Sequence, residues 1–431
     1  MVKSNIIAGI DIGTSKITTI ISSQLQDSEK INVIGVSNFP SKGLRRSQIV
    51  DIEEAVAAIT ESVEAAERMA GYSISKAFVS IGGVHIESLN SKGVVAIAEP
   101  DGEIVIEDVN RVIEAARAVS LPASREILHV IPRDFTVDSQ GGIKDPLGMT
   151  GVRLEVETHI ITGSSTAMRN LVKCIEELGI DVEALVFSGL AASQSVLTET
   201  EKELGVCLVD IGGGSTSIAI FVEGSLAYSS VLPVGAKNVT NDLAIGLRVS
   251  LQSSEKIKIA LSKPKSLKNG DSDNKSEKDK DELDISKLDI EEDINKISRK
   301  TVTEGIIRPR LNEIFQMIGE ELKKSGFGGS TPAGLVISGG GAQTVGIIES
   351  CKRILSLPVR LGKPQGLSGL TEEISTSDFA TSYGLILYGI KNLERASQDG
   401  FSFSGLSKVM EKIPVRGAAK KTIDFIKSFL P

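Results

Sequence analysis

The sequence predicts an α/β protein of two lobes built on one repeated plan. Two observations carry that reading. An apolar run ending in an aspartate and a Gly/Ser/Thr turn is written twice, as IIAGIDIGTSK (Ile6–Lys16) and as GVCLVDIGGGST (Gly205–Thr216). A third glycine-rich stretch, GLVISGGGA (Gly334–Ala342), follows a further short apolar run. One copy would be a tight turn, whereas two copies at this separation point to two halves closing on one ligand. At 431 residues the chain is also too long for a single core.

Taken in order, Val2–Ile12 and Ile17–Ser22 are rich in β-branched residues and meet at the Gly-Thr-Ser turn, so they read as paired strands. Ile52–Met69 has apolar residues at Ile52, Ala55, Val56, Ile59 and Val63, the spacing of an amphipathic helix. Lys76–Ile81 reads as a strand. From Gly82 to about Gly163 the pattern changes to a separate α+β unit, with strands at Val94–Ala98 and Ile127–Pro132, a helix at Asp108–Val119, and many turn residues. A helix at Ser165–Leu178 and a strand at Ala184–Phe187 resume the first pattern. Leu311–Leu322 reads as a helix opened by Arg308-Pro309-Arg310, itself expected to be a solvated turn.

Lys263–Lys296 carries eight Lys and eleven Asp or Glu and no aromatic residue. It buries too little to offset its ordering entropy, so its first part, about 263–282, is expected to be a disordered insertion in a folded domain.

Composition excludes several classes. A net charge of −8 argues against a nucleic-acid binder, which shows a basic domain. Three cysteines without C-x-x-C spacing read as reduced thiols. No apolar stretch reaches the roughly 18 residues of a membrane span. The single Lys and short apolar run before the first turn do not make a signal peptide. His85, His129 and His159 lack ligand spacing and read as structural.

The glycine turns read as phosphate chemistry. Gly13 lets the backbone turn so that N–H groups point outward, a concave array that binds anions. Thr14 and Ser15 add hydroxyls and Lys16 a point charge. Asp11, at the strand end, is placed to hold a hydrated Mg²⁺. Asp210, Gly212, Gly213, Gly214, Ser215 and Thr216 repeat every part but the lysine, so two facing turns would clamp a triphosphate. Gly339, Gly340, Gly341 and Ala342 have no strand-end carboxylate and suit backbone approach to a flat group such as ribose and adenine. There is no P-loop and no G-x-G-x-x-G after the first strand.

This pattern resembles the actin-like ATPase superfamily, whose fold is a duplicated RNase H-like domain with ATP between its halves. Ser254–Lys258 resembles the helix whose Glu255 and Lys258 meet the nucleoside, and Ala380–Gly384 resembles the second interdomain connecting helix. The first such helix would carry Gln194, which the resemblance implies as a residue orienting the attacking water, while a cap or surface role suits it equally. Within the superfamily the chain resembles the FtsA family of bacterial cell-division proteins. The stretches that carry this are GVHIESLNSKGV (Gly83–Val94), ETHIITG (Glu157–Gly163), LVFSGLAAS (Leu185–Ser193), SVLTETEKELGVCLVDIGGG (Ser195–Gly214) and FATSYGLILYG (Phe379–Gly389). The resemblance implies a first lobe at 1–82 and 163–200, an extra α+β subdomain at 83–162, and a second lobe at 201–255 and 334–394. A further subdomain at 256–333 would bind the C-terminal peptide of FtsZ, with Arg308 and Arg310 as candidate contacts. Head-to-tail self-assembly and recruitment of other divisome proteins follow from the same resemblance. The charged insertion departs from the family pattern there.

Arg395–Ser407 reads as the start of a flexible tether extending over 395–416, and Gly417–Pro431 as an amphipathic helix. Ile423, Ile426, Phe429 and Leu430 share one face; Lys420, Lys421 and Lys427 take the other. From Leu406 onward there are six basic residues against two acids. A basic amphipathic helix suits anionic lipid on the cytoplasmic side of a membrane, and the FtsA resemblance implies the same. Two rivals remain: a PilM-like actin-fold adaptor of type IV pilus assembly, and a small-molecule kinase of this fold. The terminal helix speaks against the first, and the lack of a catalytic base in the cleft against the second.

Overall fold

The structure is a computed structural model and describes residues 4–25, 30–98, 102–263 and 281–398. Two sheets share one wiring. In the first the strands lie in the order Asp181–Phe187, Lys76–Ile81, Ser4–Ile12, Lys16–Leu25, Ile31–Pro40 and Ser368–Gly369. The second runs Ser225–Leu232, Thr216–Val222, Val206–Ile211, Leu335–Ser338 and Val359–Leu361. In each, the aspartate-bearing strand pairs antiparallel with the strand after its turn and parallel with a later one. Layers on both faces bury these strands, which is why Val206–Ile211 is apolar but for Asp210 and buried throughout. Each sheet has its own core, one around Ile10, Ile20, Ile59 and Phe187, the other around Val209, Ile218, Phe315 and Ile337.

The helix Ile52–Ala70 packs Ala55, Ile59, Val63 and Ala66 inward. It starts where the Asp51 carboxylate accepts from the Glu54 N–H and stops where Gly71 turns left-handed at φ 64°. Two helices join the lobes. Ser188–Val196 leads from the first sheet into the second, and Ala380–Gln398 returns. They cross so closely that a Cβ on Gly384 would lie 1.8 Å from the Ala191 carbonyl oxygen, and the Ser195 hydroxyl donates to the Ala380 carbonyl at 2.7 Å.

The unit between the first-lobe segments has an antiparallel sheet in the order Glu87–Ala96, Arg153–Ser164, Arg125–Val137, Gln140–Ile143, covered by the helix Ile106–Arg117. Ile104, Val112, Leu154 and Val156 form its core. Its first strand starts earlier than the sequence suggests, because Glu87–Lys92 is polar and only half-buried along its length. Its strand 125–137 absorbs Pro132 at a register shift.

Three expectations need correction. Arg308-Pro309-Arg310 is no solvated turn: it lies within a continuous helical run, entered from Arg299–Val302 through a π-helical turn, Thr303–Ile307. The insertion is folded at its far end sooner than predicted. Asp281 accepts from the Ser298 hydroxyl and from the Lys300 N–H at 2.8 Å, Glu282–Asp284 pairs with Lys296–Ser298, and Ile285 and Ile297 are buried in the second core. The start, Lys263, caps the helix Leu251–Ser262, and 264–280 lie outside the described residues. The predicted tether begins later too, because the helix from Ala380 continues to Gln398. The rest of the tether and the predicted terminal helix, including Lys420, Lys421, Ile423, Ile426, Lys427, Phe429 and Leu430, lie outside the described residues. Among the described residues no helix is long and apolar enough to cross a membrane.

Candidate functional site

The two aspartate turns are closed by the same bond. Gly13 N–H donates to the Lys16 carbonyl at 3.0 Å, and Gly212 N–H to the Ser215 carbonyl at 2.9 Å. The sheets bring the turns face to face. A Cβ on Gly213 would sit 2.0 Å from Ser15 Oγ, and one on Gly214 would sit 2.9 Å from Thr14 Cγ2. Gly213 and Gly214 therefore answer to the opposite turn as well as to their own. Behind them the N-terminus of the helix Ala236–Leu247 is bonded to the second turn, with Ala236 and Lys237 N–H donating to the Gly212 and Gly213 carbonyls, both at 2.9 Å. Thr216 is not part of this face: it is fully buried and its hydroxyl donates to the Val234 carbonyl at 2.7 Å.

Asp11 and Asp210 end the two central strands. Ser80 Oγ donates to Asp11 at 2.6 Å, and Ser338 and Thr381 donate to Asp210 at 2.9 and 3.4 Å. Burial raises the Asp11 pKa against the pull of Ser80 and Lys16. Burial pushes Asp210 up to about 6, and the charge of Asp11 adds to that. The charge of Asp11 thus acts on a buried Asp210 carboxylate, an arrangement that a divalent ion would relieve.

Lys16 crosses between lobes. Its ammonium bonds the Asp378 carboxylate at 2.7 Å and lies 3.8 Å from the centre of the Phe379 ring. Asp378 also accepts from Gln343 and Thr376, both at 2.6 Å. Burial opposes ionisation of Asp378, yet the Lys16 charge and the bonds from Lys16 and Thr376 hold its pKa below the ordinary value. Glu255 and Lys258 meet on the helix Leu251–Ser262 at 2.7 Å, and Lys258 also donates to Thr240 Oγ1 at 2.9 Å. Sequence reasoning missed Lys237, whose ammonium reaches across to the Thr14 carbonyl at 2.9 Å. Burial and the Lys258 charge hold its pKa down against the pull of Glu255.

The third glycine stretch is used by the protein itself. Gly339 has φ 83°, and a Cβ there would lie 2.5 Å from the Ile211 carbonyl oxygen, while one on Gly341 would lie 2.3 Å from Ile211 Cγ2. Only Gly340 has open space, with its nearest neighbour, Asp378 Cβ, at 3.8 Å. Ala342 is buried. Gln194 is tied to the second connecting helix: its amide oxygen accepts from Lys391 at 2.8 Å. Arg310 makes a two-pronged tie to Asp242, the Nη2 arm at 2.9 Å, and reaches Glu313, while Arg308 pairs with Glu304. Both arginines hold the helical run together. His129 accepts from the Phe187 N–H and His159 bonds Asn90 and Ser229, so the histidines are structural here. All three cysteines are buried and free.

Two like-wired sheets, joined by crossing helices and closing on paired aspartate turns, define a protein of actin-like fold. Solved structures agree. A chain of the PilM-PilN type IV pilus biogenesis complex matches with a TM-score of 0.62 at 15% identity, over 89% of this chain and 98% of its own. MreB 5 of Spiroplasma citri, bound to AMPPNP, matches at 0.53 and 15%, over 93% and 100%. At these identities the likeness concerns fold alone. In sequence, residues 83–162 match the family described as the SHS2 domain inserted in FTSA, and residues 207–384 match Cell division protein FtsA. The chain is 38% identical over 419 residues to Cell division protein FtsA of Pseudomonas aeruginosa, covering 97% of each. It is 40% identical over 381 residues to that of Neisseria meningitidis, covering 88% and 89%, and 38% identical over 396 residues to that of Bacillus subtilis, covering 91% and 85%. The chain belongs to the FtsA family of cell-division proteins.

Proposed function

We propose that the cleft binds ATP with Mg²⁺ and that the protein tethers FtsZ filaments to the cytoplasmic face of the membrane during division. The observation that carries the nucleotide reading is the pair of identically bonded turns, each with a strand-end carboxylate, set face to face. Asp11 and Asp210 fit a hydrated Mg²⁺, an ion that meets proteins through one or two carboxylates and keeps waters and phosphate oxygens for the rest. When bound, the ion would neutralise charge between phosphates.

The chain's own residues would do the remainder. With Gly13 and Gly212 closing the turns through their own N–H groups, Thr14, Ser15 and Gly213–Ser215 would offer N–H and hydroxyl donors to phosphates, and Lys16 would trade Asp378 for one of them. Glu255, Lys258 and the Gly339–Ala342 backbone would flank the nucleoside. Tight binding with little turnover suits a protein whose main work is recruitment.

The remaining assignments follow from family membership. The subdomain at 256–333 would take the FtsZ C-terminal peptide, and Arg310 would do so only by giving up Asp242. Head-to-tail contacts between copies are heterologous and would give open filaments. The terminal helix would lie on anionic lipid, and other divisome proteins would join there. The fold likeness to the pilus complex does not favour the pilus reading, since the sequence relatives are cell-division proteins.

The test is co-pelleting of FtsZ with anionic liposomes by the full chain and by a chain ending at Ser407. Both should bind FtsZ in solution, and only the full chain should carry it to liposomes. Equal pelleting by the two would remove the tether.

A further inference from the structure

Between the third strand and the helix Ile52–Ala70 lies a two-residue hairpin, Leu44–Arg45 paired with Gln48–Ile49. Both tip residues are left-handed, Arg46 at φ 49° and Ser47 at φ 59°. A turn of this kind ordinarily takes Asn-Gly, because side chains resist that conformation. Two consecutive non-glycine residues hold that conformation here, as Asp138 and Ser139 do at the turn after Val137, so the contacts of the tip carry the argument.

The tip is wedged where the lobes meet. Ser47 N–H donates to Thr14 Oγ1 at 2.8 Å. The Ser47 hydroxyl lies 3.3 Å from that same oxygen and 2.9 Å from Ser215 Oγ. It therefore links one hydroxyl from each phosphate turn. The backbone is held just as closely: a Cβ on Gly214 would be 3.1 Å from Arg46 Cα, and one on Gly83 would be 3.1 Å from the Arg46 carbonyl oxygen. Beside the tip is a small cavity lined by Ile12, Leu44, Ser47, Ile49, Ser80 and Leu171.

We propose that the Arg46–Ser47 tip is a third phosphate-facing element, in which Ser47 senses the terminal phosphate of the bound nucleotide. This rests on the nucleotide reading above. Thr14 and Ser215 are the hydroxyls that would flank the end of a triphosphate clamped by both turns. A phosphate oxygen entering between them takes over the bonds that Ser47 makes, and the Ser47 hydroxyl turns to donate to that oxygen. A diphosphate ends short of this point and leaves the Ser47 bridge in place. The hairpin thus distinguishes ATP from ADP, and it passes the difference to the helix Ile52–Ala70 that begins a few residues on.

The test measures Mg²⁺-dependent binding of fluorescent ATP and ADP analogues to the full chain, and hydrogen exchange over residues 43–51 with unlabelled Mg·ATP or Mg·ADP. Two variants separate hydroxyl from backbone: Ser47→Ala removes the hydroxyl at a strained position, and Ser47→Gly removes it while relieving the strain. Both should lower the ratio of ATP to ADP affinity roughly tenfold, the loss of one hydrogen bond to a charged group. In the wild type ATP should change exchange over 43–51 and ADP should not. A Ser47→Gly protein with the wild-type ATP/ADP ratio, or exchange equal with both nucleotides, overturns the sensor. A wild-type chain that binds neither nucleotide removes the clamp reading, and the sensor with it.

Discussion

Asp210→Asn should stabilise the protein without metal and cripple it with nucleotide. The replacement is nearly isosteric, and both hydrogen bonds survive: Ser338 still donates to Oδ1, and the Thr381 hydroxyl can accept from the new amide. What disappears is a buried charge facing Asp11. The pKa of Asp210 rises from 3.8 to about 6 on folding, a little over two pH units or about 3 kcal/mol at 1.36 kcal/mol per unit. The sign follows from linkage. A carboxyl whose folded pKa is raised favours the fold below its unfolded value and loses that contribution as pH climbs through the folded value. In EDTA the variant's advantage should therefore grow between pH 4 and 6, reaching about 3 kcal/mol, and stay flat to pH 8. Mg·ATP at a hundred times its dissociation constant adds about 2.7 kcal/mol to a binding-competent protein. It should raise the wild-type melting temperature nearly to that of the variant and leave the variant unmoved. Thermal melts from pH 4 to 8, with EDTA or Mg·ATP, read both effects. A variant no more stable than wild type at pH 7.5 in EDTA refutes the buried-charge argument. One that gains as much from Mg·ATP as wild type refutes the clamp.

Gly384→Ala places a methyl 1.8 Å from the Ala191 carbonyl oxygen, so the crossing helices must part by more than an ångström. The cost should be about 1–3 kcal/mol or more, with weakened nucleotide binding, and a neutral melting temperature would mean that the crossing is looser than the structure has it. Deleting Asn269–Lys280 should leave melting and nucleotide affinity nearly unchanged, whereas Asp281→Ala should cost about 1 kcal/mol through its lost capping bonds; the reverse order would place the fold boundary wrongly. For the tail, Phe429→Glu should release the protein from liposomes at any salt, while Lys420→Gln with Lys427→Gln should weaken binding chiefly to anionic lipid at low salt. A Phe429→Glu chain that stays on liposomes and melts early would put the helix on the protein's own core.

What the sequence disclosed was whatever is local. Asp11 with Gly13 and Asp210 with Gly212 are legible because strand, turn and strand are consecutive, and a repeat of the string implies a repeat of the geometry. Long-range partners left no such trace. Ser47 reaches Thr14 across 33 positions, Lys237 reaches it across 223, and Asp378 meets Lys16 across 362. Each of these side chains is ordinary in its own neighbourhood. A motif also says less about direction than about place: Thr216 belongs to the repeat, yet its hydroxyl turns inward to Val234. The glycines at 339 and 341 were read as letting backbone approach a flat group, and nothing in their own stretch signals that Ile211 also requires them to lack a Cβ. The strand Ile31–Pro40 was not anticipated at all. Its apolar run is broken by Asn32, Gly35, Ser37 and Asn38, and the buried Ser37 hydroxyl is satisfied only by the facing helix, through the Ser62 carbonyl at 2.6 Å.

The subdomain inserted at 83–162 follows from the first lobe in sequence but is bonded to the second. Ser88 Oγ donates to the Ser229 carbonyl at 2.6 Å and accepts from the Ser229 N–H at 3.2 Å, as a neighbouring strand would. Asn90 donates to the Ala227 carbonyl at 3.3 Å. His159 completes the seam: its Nδ1 donates to the Asn90 side-chain oxygen at 2.7 Å, which leaves Nε2 to accept from the Ser229 hydroxyl at 3.0 Å. That tautomer requires a neutral ring. Burial holds the His159 pKa down at about 3, with the charges of Arg133 and His129 adding to the effect, so the seam is intact at neutral pH and is lost only as acid charges the ring. Ser225–Leu232 is the edge strand of the second sheet, two strands from Asp210. A rotation of the second lobe about the crossing helices therefore has two outcomes: it carries the subdomain with it, or it breaks the seam at Ser88, Asn90 and His159. In the first case a change of angle at the cleft moves the subdomain through these bonds, and in the second it frees the polar groups of Ser88, Asn90 and His159.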